Sequence, residues 1–244
     1  MDPSSLMRDC GLEPDGWQEA VLASQASRIL LACGRQVGKS TAVAVLTAHQ
    51  LLYRPGALSL IVAPAQRQSV ERLRFVSELL HRLGSEGSIS ADDTDSSATT
   101  IECKNGSRAV ALPGSSDTIR GYSSVDLLLL EEAAMIPALL LAACRPMLAV
   151  SKGRCIALST PKGKGQNWFW QAWDRRKGEW EKYHVPSTNC GRISPEFLAE
   201  ERAGMGDLLF SQEYLAEFVD DLQSVFTTAQ IQRALDIKEM ALHV

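Results

Sequence analysis

The chain has 244 residues, 45% of them hydrophobic, enough to bury one substantial core and short for two independent full-size domains. Its 25 basic and 29 acidic residues leave a net charge of −4, so no global basic field marks it for nucleic acid, and a polyanion would have to be met by a local patch. The six scattered cysteines contain no CxxC pair, which argues against a disulfide framework or a zinc site, and the longest apolar runs are too short for a membrane span; an intracellular protein without a membrane partner is expected.

Strand-like and helix-like runs alternate over the first two thirds, which predicts an α/β fold with a mainly parallel central sheet flanked by helices. RILLAC (28–33) is a buried strand and KSTAVAVLTAHQLLY (39–53) a helix packed on the sheet. LSLIVAP (58–64) is a second strand stopped by its proline. An amphipathic helix follows over 65–83, with Val70, Leu73, Val76, Leu79, Leu80 and Leu83 on one side. The polar, acidic stretch from Gly84 to Thr99 is expected to be a loop. Residues 99–113 read as a hairpin in which Asn105-Gly106 suits a tight primed turn.

VDLLLLEE (125–132) has the continuous apolar character of a strand buried on both faces and ends in two acids. A helix over Ala138 to Leu148, a buried strand RCIALSTP (154–161) and an aromatic-rich helix over 166–177 follow. The last third is less regular, with a strand at 181–186, a helix capped by Ser194-Pro195-Glu196 and a helical segment over 208–218. No internal repeat is evident.

Three strand ends carry chemistry. Gly38-Lys39-Ser40 lies where a strand turns into a helix, the setting in which backbone N–H groups and the helix dipole cradle phosphates. There Gly38 permits close approach, Lys39 reaches the β- and γ-phosphates and Ser40 ligates magnesium. Cys33 stands where the usual pattern begins with glycine, and Gly34 beside it is expected to relieve the turn; an ordinary strand-to-helix turn is the alternative. At the second strand end, Glu131 would hold magnesium and Glu132 would activate the attacking water, whereas the bland reading is two acids closing a strand. At the third, the Ser159 and Thr160 hydroxyls would sense the γ-phosphate, or merely close a strand at Pro161.

GRQVGKS, LLLLEEAAMIP, ALSTPKGKGQNWFW and FSQEYLAEF, in this order and approximate spacing, resemble the ATPase domain of the large terminase subunit of tailed bacteriophages, from about Trp17 to Phe226. The resemblance implies a RecA-like ASCE P-loop NTPase that uses ATP and Mg2+. It implies a homo-oligomeric ring, commonly a pentamer, that drives double-stranded DNA into a procapsid in the host cytoplasm, with a portal protein and a small terminase subunit as partners. It also implies an ATPase core over 1–178 followed by a small C-terminal lid or linker part over 179–244.

By the same resemblance Gln18 recognises adenine, Arg35 contacts the γ-phosphate, and Gln36 and Thr41 complete the ATP-binding set. Arg120 acts as an arginine finger across a subunit boundary, and Asn167 joins Ser159 and Thr160 in coupling. The nuclease segment that usually follows in the family is missing before Val244, so no DNA cleavage is expected of this polypeptide. Candidate DNA contacts are Arg67, Arg72, Arg74, Lys104, Arg108, Lys162 and Lys164, each more simply a solvated surface charge; Trp168, Phe169, Trp170 and Trp173 read better as core than as a stacking surface. A helicase-like ASCE ATPase and a slow nucleotide-binding assembly switch are the alternative functions.

Overall fold

Strands β1 (Arg28–Cys33), β2 (Leu58–Ala63), β3 (Thr94–Ser96), β4 (Thr100–Cys103), β5 (Arg108–Pro113), β6 (Leu127–Glu131), β7 (Arg154–Ser159) and β8 (Glu181–Val185) form one sheet in the order β3-β4-β5-β2-β6-β7-β1-β8. The computed structural model describes residues 2–85, 94–114, 119, 121–165, 167–175 and 178–220. Every pairing from β5 across to β8 is parallel, and β3 and β4 extend the sheet antiparallel at one edge.

Side chains of a strand alternate between faces, and the two apolar clusters of the protein sort by that alternation. Ile29, Leu31, Ile61, Leu129, Ile156 and Leu158 belong to one core, covered by α1 (Pro3–Asp9), α2 (Gly16–Ala23), α3 (Lys39–Tyr53) and α4 (Gln66–Ser85). Leu30, Leu60, Val62, Leu128, Leu130 and Ala157 belong to the other, covered by α5 (Ala138–Cys144), a 3-10 turn at Arg145–Leu148 and α6 (Trp168–Asp174). Burial on both faces is why these strands read as unbroken hydrophobic runs. Beyond the sheet, α7 (Pro195–Met205) and α8 (Asp207–Glu213) share a small core of Leu198, Phe210 and Tyr214. Ser194 caps α7 as the sequence predicts, its hydroxyl accepting from the Phe197 N–H at 3.2 Å.

Several elements depart from the sequence expectation. α4 runs through Gly84 to Ser85, and β3 lies inside the stretch expected to be a loop; residues 86–93 of that stretch lie outside the described residues. The hairpin turn is not the primed two-residue type. Among its residues only Gly106 takes a positive φ, at +81°, while the Asn105 amide donates outward to Leu51 O at 2.8 Å and accepts within the turn from Ser107 N at 2.9 Å. The helix expected over 138–148 tightens into its 3-10 turn at Arg145-Pro146, where proline supplies no N–H to continue an α ladder. β8, which the sequence reading groups with the C-terminal part, lies in the main sheet beside β1.

Candidate active site

The parallel order places the C-terminal ends of β1, β7 and β6 side by side, with β7 hydrogen-bonded to both neighbours. Ligands in open α/β sheets gather at such an edge. β1 leaves the sheet at Cys33 and re-enters helix at Lys39 through a turn in which Gln36 and Gly38 take left-handed φ values of 61° and 84°. Gly34 serves this turn through space and not through φ. A Cβ there would lie 2.4 Å from Ser187 Oγ and 2.5 Å from the Tyr214 carbonyl oxygen, so no side chain fits. Cys33 is wholly buried, and desolvation pushes its thiol up to about 12, which leaves it an inert core group.

Lys39 is the hub of the site. Its Nζ lies 3.2 Å from Glu132 Oε1 and donates to Thr160 Oγ1 at 3.3 Å. Ser159 Oγ donates to the Thr160 carbonyl at 2.8 Å and stands 3.5 Å from Glu132 Oε2. Glu132 holds a left-handed φ of 48°, an uncommon conformation for a residue with a side chain, and turns its carboxylate out of the strand direction toward Lys39. These groups, with Arg35, Gln68, Lys162 and Glu213, line a cleft of about 470 Å3. An ammonium, a carboxylate and two hydroxyls at the end of a glycine turn can bind a phosphate chain and orient a water beside it.

Glu131, one residue earlier, faces a different environment. Its side chain is 5% exposed and receives Arg72 Nε at 2.7 Å and a second, longer guanidinium contact of 3.5 Å. Burial raises the Glu131 carboxyl above its usual range, and the Arg72 charge and hydrogen bond, then the Lys39 charge, pull it back. Glu131 and Arg72 line a second cavity of about 260 Å3 with Arg67 and Glu71, and Gln68 and Glu132 border both spaces. Arg72 is therefore not the free surface charge that the sequence offers as a DNA contact.

Of the remaining predicted residues, Ser40 and Thr41 lie in the first turn of α3. Arg35 is 61% exposed at the side chain, with Nε 2.5 Å from Glu213 Oε2 and its backbone N–H on the Glu213 carbonyl at 2.8 Å. Gln18 is buried; its Nε2 donates to the Gly38 carbonyl at 3.0 Å, and its Oε1 accepts from Asp15 N at 2.8 Å. It thus braces the turn from below. Asn167 caps α6, accepting from Trp170 N at 2.9 Å and donating to Lys162 O, and has no bond to the Lys39 cluster. Arg120 lies outside the described residues. Trp168 and Phe169 are buried, as the core reading expects.

Sequence reasoning missed four contributors. Arg192 grips Asp15 with two hydrogen bonds of 2.8 and 2.7 Å and reaches Val37 O at 3.3 Å, while Ser187 Oγ donates to Arg35 O at 2.7 Å. Glu213 and Arg72 complete the set, and the sequence offers Arg72 only as a candidate DNA contact. Glu213 falls inside the FSQEYLAEF stretch that carries the resemblance, so a signal was present; Arg192 and Ser187 sit in segments with none.

The order of the sheet, with a strand inserted between the glycine-turn strand and the acidic strand, together with a lysine facing a glutamate across that strand, defines a RecA-like ASCE P-loop NTPase domain. Within that class the family model of the T4likevirus-type large terminase subunit, N-terminal part, matches residues 30–233, and the chain belongs to this family. The large terminase subunit of Thermus phage G20c is 30% identical over 250 residues, covering 89% of this chain and 51% of that protein. This chain therefore spans about half the length of the curated relatives it matches. The solved ATPase domain of the Thermus phage P74-26 large terminase superposes with a TM-score of 0.75 at 29% identity, covering 90% of this chain and all of that one. The large terminase of another thermophilic bacteriophage, solved in complex with ATP-gamma-S, shares the fold with a TM-score of 0.62 at 14% identity, over 88% of this chain and 52% of its own.

Proposed function

We propose that this chain is the ATP-hydrolysing part of a large terminase, a motor that moves double-stranded viral DNA into a procapsid. It would act as a homo-oligomeric ring with a portal protein and a small terminase subunit as partners. The observation that carries the proposal is the meeting of Lys39, Glu132 and Thr160 within 3.3 Å at the end of the glycine turn. Family membership supports the packaging role, and the P74-26 neighbour, named as an ATPase domain, supports the chemistry.

In this site the turn N–H groups and Lys39 hold the β- and γ-phosphates of ATP, with Arg35, Gln36 and Thr41 around them. Glu132 takes the proton of the attacking water as its oxygen bonds to the γ-phosphorus, and the bond to ADP breaks. The Ser159 and Thr160 hydroxyls are placed to register departure of the γ-phosphate. Ser40, in the first turn of α3, and Glu131, at the end of β6, are hard oxygen donors, a hydroxyl and a carboxylate, and that donor chemistry suits Mg2+. When bound, the ion neutralises charge that develops on the phosphate oxygens. Arg120 is the group the family pattern offers as a finger from a neighbouring subunit, and Gln18, which donates to the Gly38 carbonyl, is the one it offers for adenine.

Glu132→Gln separates binding from chemistry. Turnover of ATP should fall by about 10²- to 10⁴-fold, the range for a lost general base, while a fluorescent ATP analogue still binds. DNase-protected DNA in portal-bearing procapsids should fall with it. Full turnover in this variant would overturn the assignment of the water activator, and turnover indifferent to DNA, portal and procapsid would overturn the motor.

A further inference from the structure

The Arg72–Glu131 pair lines the smaller cavity that shares Gln68 and Glu132 with the cleft, in a part of the molecule that the glycine turn does not explain. Arg72 sits on α4, one residue before the buried Leu73, so the packing of that helix on the sheet fixes where its guanidinium emerges. The guanidinium meets the Glu131 carboxylate side-on, through Nε at 2.7 Å and Nη2 at 3.5 Å, with side-chain exposures of 19% and 5%. Each Glu131 oxygen gives one lone pair to Arg72 and keeps another. Arg67 and Glu71 also line this space from α4, and Glu132, which follows Glu131 in the chain, borders it.

A glutamate is one methylene longer than the aspartate that more often ends such a strand, and it has an additional torsion to fix. Two guanidinium contacts from a packed helix fix it. We infer that Arg72 is a positioning residue for the metal: it holds Glu131 in the one orientation in which its remaining lone pairs serve Mg2+ or a water bound to it. The inference rests on the reading of the cleft as an ATPase site. Carboxylate ligands are themselves held by hydrogen bonds, and loss of such an outer partner lowers metal affinity by about 10- to 100-fold.

The test measures the dissociation constant of a non-hydrolysable fluorescent ATP analogue with Mg2+ and with EDTA, in wild type, Arg72→Ala, Arg72→Lys, Glu131→Gln and the double variant. The ratio of the two constants is the metal-dependent gain in affinity. Arg72→Ala should reduce that gain by about tenfold or more and leave the EDTA value within about twofold, since the turn and Lys39 are untouched. Arg72→Lys, which keeps the charge and loses the fork, should recover part of the gain. Adding Arg72→Ala to Glu131→Gln should cost nothing further, because the group being positioned is already altered. A gain unchanged or enlarged in Arg72→Ala, in a protein whose circular dichroism melt is cooperative, overturns the inference; if that variant does not fold, an unreduced gain in Arg72→Lys does so. Wild-type protein that shows no metal-dependent gain at all would instead overturn the ATPase reading.

Discussion

Glu131 and Glu132 share a peptide bond and have opposite surroundings. Glu131 closes β6 with a carboxylate 5% exposed and gripped by Arg72, whereas Glu132 opens the next turn with a side chain 33% exposed and facing Lys39. A desolvated carboxylate is bound to keep its partner, because separation leaves a charge in a poor solvent. A carboxylate in contact with water exchanges partners at little cost, as the proposed role of Glu132 in activating a water requires. The wall is thus built to hold and the opening to rearrange.

Stability measurements can break this contrast. Glu131→Ala leaves the Arg72 guanidinium, 19% exposed, without its anion, and should lose about 3–5 kcal/mol in urea unfolding, the usual consequence of removing one partner of a buried pair. Glu132→Ala gives the comparison: it leaves Lys39, 15% exposed, with its bond to Thr160, so a smaller loss of about 1–3 kcal/mol is expected; equal losses would erase the distinction. The phosphate turn offers an intermediate case. Gly34→Ala forces a Cβ against Ser187 Oγ and the backbone at Tyr214, so a loss of about 1–3 kcal/mol is expected, with weaker ATP-analogue binding as the turn shifts. The smallest effect belongs to the exposed side. Glu213→Gln weakens a pair in which Arg35 is 61% exposed, and it should change stability by only about 0.2–1 kcal/mol, measured by thermal melts at low and high salt.

Much of this was legible in the sequence because it is local. Residues 28–33 and 39–53 form a strand and a helix with the predicted bounds, since unbroken apolar character and a glycine turn determine them within a few residues. The gathering of Lys39, Glu132, Ser159 and Thr160 was also expected, because the last three stand at strand ends and Lys39 opens the helix that follows one. What escaped depends on distance along the chain. Nothing near Arg72 says that it meets a carboxylate 59 residues later, and nothing near Gly34 says that Ser187 and Tyr214 leave it no room. The resemblance assigns Asn167 to coupling, and no pattern near it says that its side chain caps α6 and bonds Lys162 O.

β7 runs between the strand that delivers the lysine and the strand that delivers the acid, and its own end bears the hydroxyls. Any slide of lysine relative to acid would therefore have to tear a parallel ladder on one flank of β7 or the other. The three strands are a fixed anvil. Any motion at the site is left to what hangs from their ends: side-chain rotations, the turns after them, and the segments tied to the glycine turn through Arg35 and Ser187.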